Sequence, residues 1–124
     1  MAKKSRLPIH MTERALLDVK GIHQWSVKQF GRSTASKYLS KIESGLSRIG
    51  DHPELLRSEP AFHDSLKFYR VEKHLLVCET AISGRIIVLT VVHASMDVFS
   101  RLADLEPTLK LETGILLQQL KKRK

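Results

Sequence analysis

From Ile86 to Val92 every residue except Thr90 is apolar, and every residue except Leu89 is β-branched. No polar alternation breaks the run, which is the pattern of a strand covered on both faces and so of a central strand. The Ser83-Gly84 pair before it favours a turn into a strand over a buried helix. The run ends on His93, and Met96, Asp97 and Arg101 follow within one short stretch. A rigid strand that carries an imidazole and charged groups to a sheet edge is a suitable place for function. The plainer reading is that His93 caps the strand and Asp97 caps a short helix; the residues alone leave both open.

The remaining segments arrange themselves around this strand. Arg6–Met11 reads as a short first strand, and Pro8, lacking an N–H, places it at an edge. Thr12 then reads as an N-cap with Glu13 in the first turn. From Thr12 to Phe30 the spacing predicts a helix with Ala15, Val19, Ile22 and Phe30 on one face and Leu16 and Trp25 flanking it. Gly31 ends this helix, and Ser33 or Thr34 starts a second with Ala35, Tyr38, Leu39, Ile42, Leu46 and Ile49 as its stripe. Gly50-Asp51-His52-Pro53 stops it, so the two helices form an antiparallel hairpin. Trp25 and Tyr38 are better explained as packing than as a base-stacking platform.

Glu54–Asp64 contains Pro60 and mixed charge and reads as a loop. Three strands follow, Leu66–Val71, Leu75–Ile82 and Arg85–Val92, joined by tight connections at Glu72-Lys73-His74 and Ser83-Gly84. The expected fold is α+β: an N-terminal strand, a two-helix hairpin packed on a twisted, mainly antiparallel sheet, and a short C-terminal helix at Asp97–Leu105. The sheet face away from the hairpin would be an open groove. Residues 1–107 form this domain. Residues 108–124 are a basic tail, either a last amphipathic helix or a segment that orders on a partner.

The chain has 124 residues, room for one core, with 21 Lys and Arg against 13 acids and a net charge of +8. Such a balance favours a polyanion or an acidic protein as partner. Cys78 is the only cysteine, which excludes an internal disulfide and thiolate zinc motifs. No run is long enough for a signal peptide or a membrane span, so the chain reads as cytoplasmic with no membrane role. No metal or cofactor site is expected.

Four motifs then resemble the ParE/RelE superfamily of bacterial type II toxins, over roughly residues 7–105. They are Thr12-Glu13-Arg14-Ala15-Leu16-Leu17-Asp18; Phe30-Gly31-Arg32 with Ala35 and Tyr38-Leu39; Leu66 to His74; and Val92-His93-Ala94-Ser95-Met96-Asp97. The ParE branch fits best. The resemblance implies a toxin neutralised by a cognate antitoxin whose flexible half wraps the helical hairpin and groove. It implies DNA gyrase as the target and no cofactor. An acidic antitoxin segment suits the +8 charge.

The alternative from the RelE side is a ribosome-dependent mRNA endoribonuclease. It needs a base for the ribose 2′-hydroxyl, an acid for the leaving oxygen and cations for the phosphate. His93, Arg70 and Lys67 are its candidates, with Lys73 and Arg85 near them. Lys67 stands where the family has Arg, keeping the charge and losing the bidentate fork. A structural hydrogen bond is the better reading of His93. A nucleic-acid-binding domain ranks last, because the long helices carry mixed charge. The expected surface for target or antitoxin comprises Lys67, Tyr69, Arg70, His93, Met96, Asp97 and Arg101. Between Phe68 and Tyr69, which alternate across the strand, Phe68 is expected to face the core.

Overall fold

The computed structural model describes residues 7–59, 66–80 and 84–94. The elements are β1 (Ile9–Met11), α1 (Glu13–Phe30), α2 (Arg32–Asp51), a 3-10 turn at Pro53–Leu55, β2 (Arg57–Ser58), β3 (Leu66–Val71), β4 (His74–Glu79) and β5 (Ile86–His93). The sheet order is β1-β5-β4-β3-β2. β1 runs parallel to β5 and every other pair is antiparallel. The expected α+β architecture is therefore present. Its short C-terminal helix and the 108–124 tail lie outside the described residues.

The β-branched run is buried along its whole length from Ile86 to Val92, as a central strand must be. β1 reaches only as far as Val88, so beyond it the edge of β5 needs other partners. The first turns of α1 supply them. Thr12, fully buried, accepts from the Ala15 N–H (3.1 Å) as N-cap, and its hydroxyl donates to the Leu89 carbonyl (2.8 Å). One turn later the Asp18 carboxylate accepts from the Val91 N–H (3.0 Å) and from the Thr90 hydroxyl. Ala15 sits between them with no exposed surface, small enough for helix and strand to approach. Thr12, Ala15 and Asp18 thus close a sheet edge that no strand among the described residues covers.

Gly31 has φ +90°, a conformation costly for any other residue, and it alone separates the helices. The core lies between the hairpin and the sheet: Ala15, Ile42 and Ile49 pack on Val71, Leu76, Cys78, Ile86, Val88 and Val91. Burial pushes the Cys78 thiol up to about 12, so it is an inert core group. Gly45 marks the closest approach of α2 to β3, since a Cβ there would stand 2.5 Å from the Val71 Cγ2. Gly45→Ala should overpack this contact by about 1–3 kcal/mol, offset by about 1 kcal/mol of helix propensity. Urea unfolding should show a net loss in Gly45→Ala that the double variant with Val71→Ala largely recovers.

Several expectations are corrected. Helix α1 buries Ser26 in place of Phe30, which is 61% exposed at the helix end where Gly31 turns the chain away. Trp25 does not pack inside; it is 57% exposed and meets Phe30 edge-on at 5.8 Å. The segment read as a loop contains β2, whose two residues pair with Phe68 and Lys67. β4 stops at Glu79 and β5 starts at Ile86, so their connection is longer than two residues. In β3 it is Tyr69, half-buried, that packs on the hairpin-side core where Phe68 is expected, and Phe68 is buried on the opposite face at 6% exposure. Phe68, Val77 and Ile87 are all buried away from the hairpin, so this face is not the open groove expected.

Candidate functional site

Among the described residues an opening lies between α2 and β3. It is a shallow groove of about 370 Å³ lined by Ser40, Lys41, Ser44, Gly45, Arg48, Tyr69, Arg70, Val71 and Glu72. The absent side chain at Gly45 helps keep its floor low. Three cations meet one acid here, so the groove carries positive charge. Lys41 and Glu72 pair at 3.5 Å, but both are exposed and the pair contributes little.

At the tip of the β-hairpin formed by β3 and β4, Glu72-Lys73, the groove meets a polar corner. The Lys73 N–H donates to the Tyr38 hydroxyl oxygen (3.1 Å), and the phenol lies 2.6 Å from the His74 Nδ1. The Lys73 N–H uses only the phenol's oxygen, so its single hydrogen is free to be given to Nδ1 of a neutral His74 protonated on Nε2. His93 stands directly across from His74 in the β4–β5 register, with ring centroids 5.2 Å apart. Burial, and secondarily the neighbouring His93, lowers the His74 pKa below its ordinary 6.5. Burial raises the Tyr38 pKa above 10.0, against the opposing pull of the Lys73 N–H. Ala94 closes the corner by donating its N–H to the Lys73 carbonyl (2.8 Å).

The expected site residues fall at two ends of the sheet. Lys67 is at the β2 edge, its Nζ on the Ser58 hydroxyl (2.7 Å). Arg70 is exposed and donates from Nε to the Glu72 carbonyl (2.7 Å) at the hairpin tip. His93 is half-buried at the same end. From Lys67 to the His74–His93 row is four residues along β3, about 13 Å at 3.3 Å per residue. Arg85 precedes β5, eight residues and about 26 Å from His93. Arg70 and His93 therefore share an end of the sheet, while Lys67 and Arg85 do not join them. Met96, Asp97 and Arg101 lie outside the described residues. Among the described residues no cluster of three or more His, Cys, Asp or Glu could hold a metal.

Two features escaped the sequence reading of the site. Tyr38 and His74 belonged to quoted motifs, but only the pairing of β4 with β5 brings them to His93. The other is the outer face of α1, where Leu16, Leu17, Trp25 and Phe30 are each more than half exposed. Leu17, Gly21 and Trp25 recur at four-residue spacing and share one side, and no atom approaches where a Gly21 side chain would project. The charges around them are mainly Lys20, Lys28 and Arg32.

Comparison with known proteins follows the same geometry. A curated relative, "Toxin ParE" of Escherichia coli, is 26% identical over 94 residues, covering 76% of this chain and 91% of the relative. A solved structure described as "Chromosomal ParDE TA system from P. aeruginosa" superposes with a TM-score of 0.63 at 14% identity. That match covers 73% of this chain and 99% of the other, and shows a shared fold. The family model for the ParE toxin of type II toxin-antitoxin system, parDE, matches residues 9–98, well over half of the chain. The chain belongs to the ParE toxin family of type II toxin-antitoxin systems.

Proposed function

We propose that this toxin acts in the cytoplasm on DNA gyrase and is held inactive by a cognate antitoxin that covers the outer face of α1. The observation that carries the antitoxin contact is the exposure of Leu16, Leu17, Trp25 and Phe30 on one helix. Large apolar groups left exposed in this number along one helix, two of them in contact, mark a protein-binding surface. The basic residues around them, in a chain of net charge +8, suit an amphipathic segment with acidic flanks. Tyr69 and Arg70 in the groove between α2 and β3, with His93, Lys67, Met96, Asp97 and Arg101, complete the proposed contact set for antitoxin or target.

Gyrase as target rests on the ParE family membership. Inhibition of a large enzyme by binding needs a surface, not a general base, and the arrangement of His93 agrees with that. Its neighbours His74 and Tyr38 form a packed, hydrogen-bonded corner at the sheet end. The test is a supercoiling assay with purified gyrase beside an mRNA cleavage assay on translating ribosomes. The expected result is loss of supercoiling with message intact; rapid message cleavage with gyrase unaffected would reverse the assignment.

A further inference from the structure

The Tyr38–His74–His93 corner does more than hold three elements together. Tyr38 comes from α2, His74 from β4 and His93 from β5, and the phenol also holds the Lys73 N–H of the hairpin tip. The tip itself is bent, with Glu72 at φ +53°, and Glu72 walls the end of the groove. The neutral corner has an arrangement in which the phenol both accepts and donates. Lys73 donates to the phenol oxygen, and the phenol donates to Nδ1 of a neutral His74.

We infer that this corner is an acid-sensitive latch, in which neutral His74 fixes the hairpin tip against α2 and protonation of His74 releases it. On protonation Nδ1 gains a hydrogen and can no longer accept. The phenol oxygen then faces two donors, Nδ1 and the Lys73 N–H, and its own hydrogen loses its partner. The charges around the corner do not favour the added proton. From β5 the facing titratable group is His93. From α2 they are Tyr38 and Lys41, and Lys41 is paired with Glu72. At the tip and on β3 they are Glu72, Lys73 and Arg70, the last spending its Nε on the Glu72 carbonyl. Among these described residues one carboxylate, Glu72, stands with the cations, and it is paired with Lys41.

The consequence for stability follows from linkage. A histidine whose folded pKa lies below its unfolded value of 6.5 contributes fully above 6.5, and that contribution falls as pH drops toward the folded pKa. Release should therefore begin below neutrality and reshape the end of the groove, whatever the groove binds.

The test is an NMR titration of the purified full chain from pH 8 to 5, following the imidazole protons of His74 and the backbone amides of Glu72 and Lys73. The expected result is a His74 midpoint below 6.5, with the Lys73 amide shifting at the same midpoint. Tyr38→Phe should move that midpoint upward by about half a unit or more and leave the Lys73 amide flat. His93→Gln should also raise it. A Lys73 amide that stays flat in the parent chain while His74 titrates would overturn the latch. So would a His74 midpoint at or above 6.5, or one unmoved by Tyr38→Phe in a variant that remains folded.

Discussion

Asp18→Ala is expected to destabilise the chain by about 3 kcal/mol. The substitution removes the acceptor for the Val91 N–H and for the Thr90 hydroxyl, both on a strand with almost no exposed surface. Each buried polar group left without a partner costs about 1–3 kcal/mol. β1 does not take over, because it has already ended at the register of Val88. For a domain of this size the loss corresponds to a fall in Tm of roughly 10 °C. Asp18→Asn keeps one acceptor oxygen in place and should lose well under half as much. Thermal unfolding of both variants, beside the parent, decides the matter: equal losses would mean that the carboxylate does not cap the β5 edge.

The second large effect concerns binding. Trp25→Glu should weaken antitoxin affinity by at least thirtyfold while leaving the fold unchanged. Trp25 is more than half exposed and touches Phe30 edge-on, so its removal opens no core cavity. In an interface, by contrast, a covered Trp commonly contributes about 2 kcal/mol or more, and an added carboxylate would repel an acidic partner segment. Titration calorimetry against the antitoxin measures the change, with circular dichroism as the check on folding. Unaltered affinity would remove α1 from the proposed interface.

How far such a surface could be read beforehand depended on what each residue's environment demanded. The strand Ile86–Val92 was plain because seven positions ask for burial on both faces, and Gly31 was plain because one glycine stands between two periodic segments. β2 was not, since Arg57 and Ser58 have no strand propensity of their own and are ordered by pairing with β3. Ser26 was missed for a related reason. It follows Ala15, Val19 and Ile22 at helical spacing, but a hydroxyl does not announce burial, and the stripe was instead extended to Phe30. Trp25 then seemed to belong inside with it. That substitution of a large apolar residue for a small polar one concealed the exposed face on which the functional proposal now rests.

The site was legible in its parts and not in its assembly. His93 was identified at the end of a central strand, while Tyr38 and His74 lay in separate motifs with nothing in the linear spacing to join them. The hydrogen bond between them depends on how α2 packs on β4, and the placing of His74 beside His93 on the β4–β5 register, with its irregularity beside Val77 and Cys78, which no residue type signals. The motif Thr12-Ala15-Asp18 was noticed as a resemblance, and its physical meaning, capping an uncovered strand edge, appeared only with the fold.

Hydroxyl-radical footprinting of the side chains, with the chain alone and then saturated with antitoxin, tests the central claim most directly. Trp25, Phe30, Leu16 and Leu17 should oxidise readily in the free chain and become protected together in the complex. Protection confined to other residues, with these four as reactive as before, would contradict the assignment of α1 as the surface by which the toxin is held.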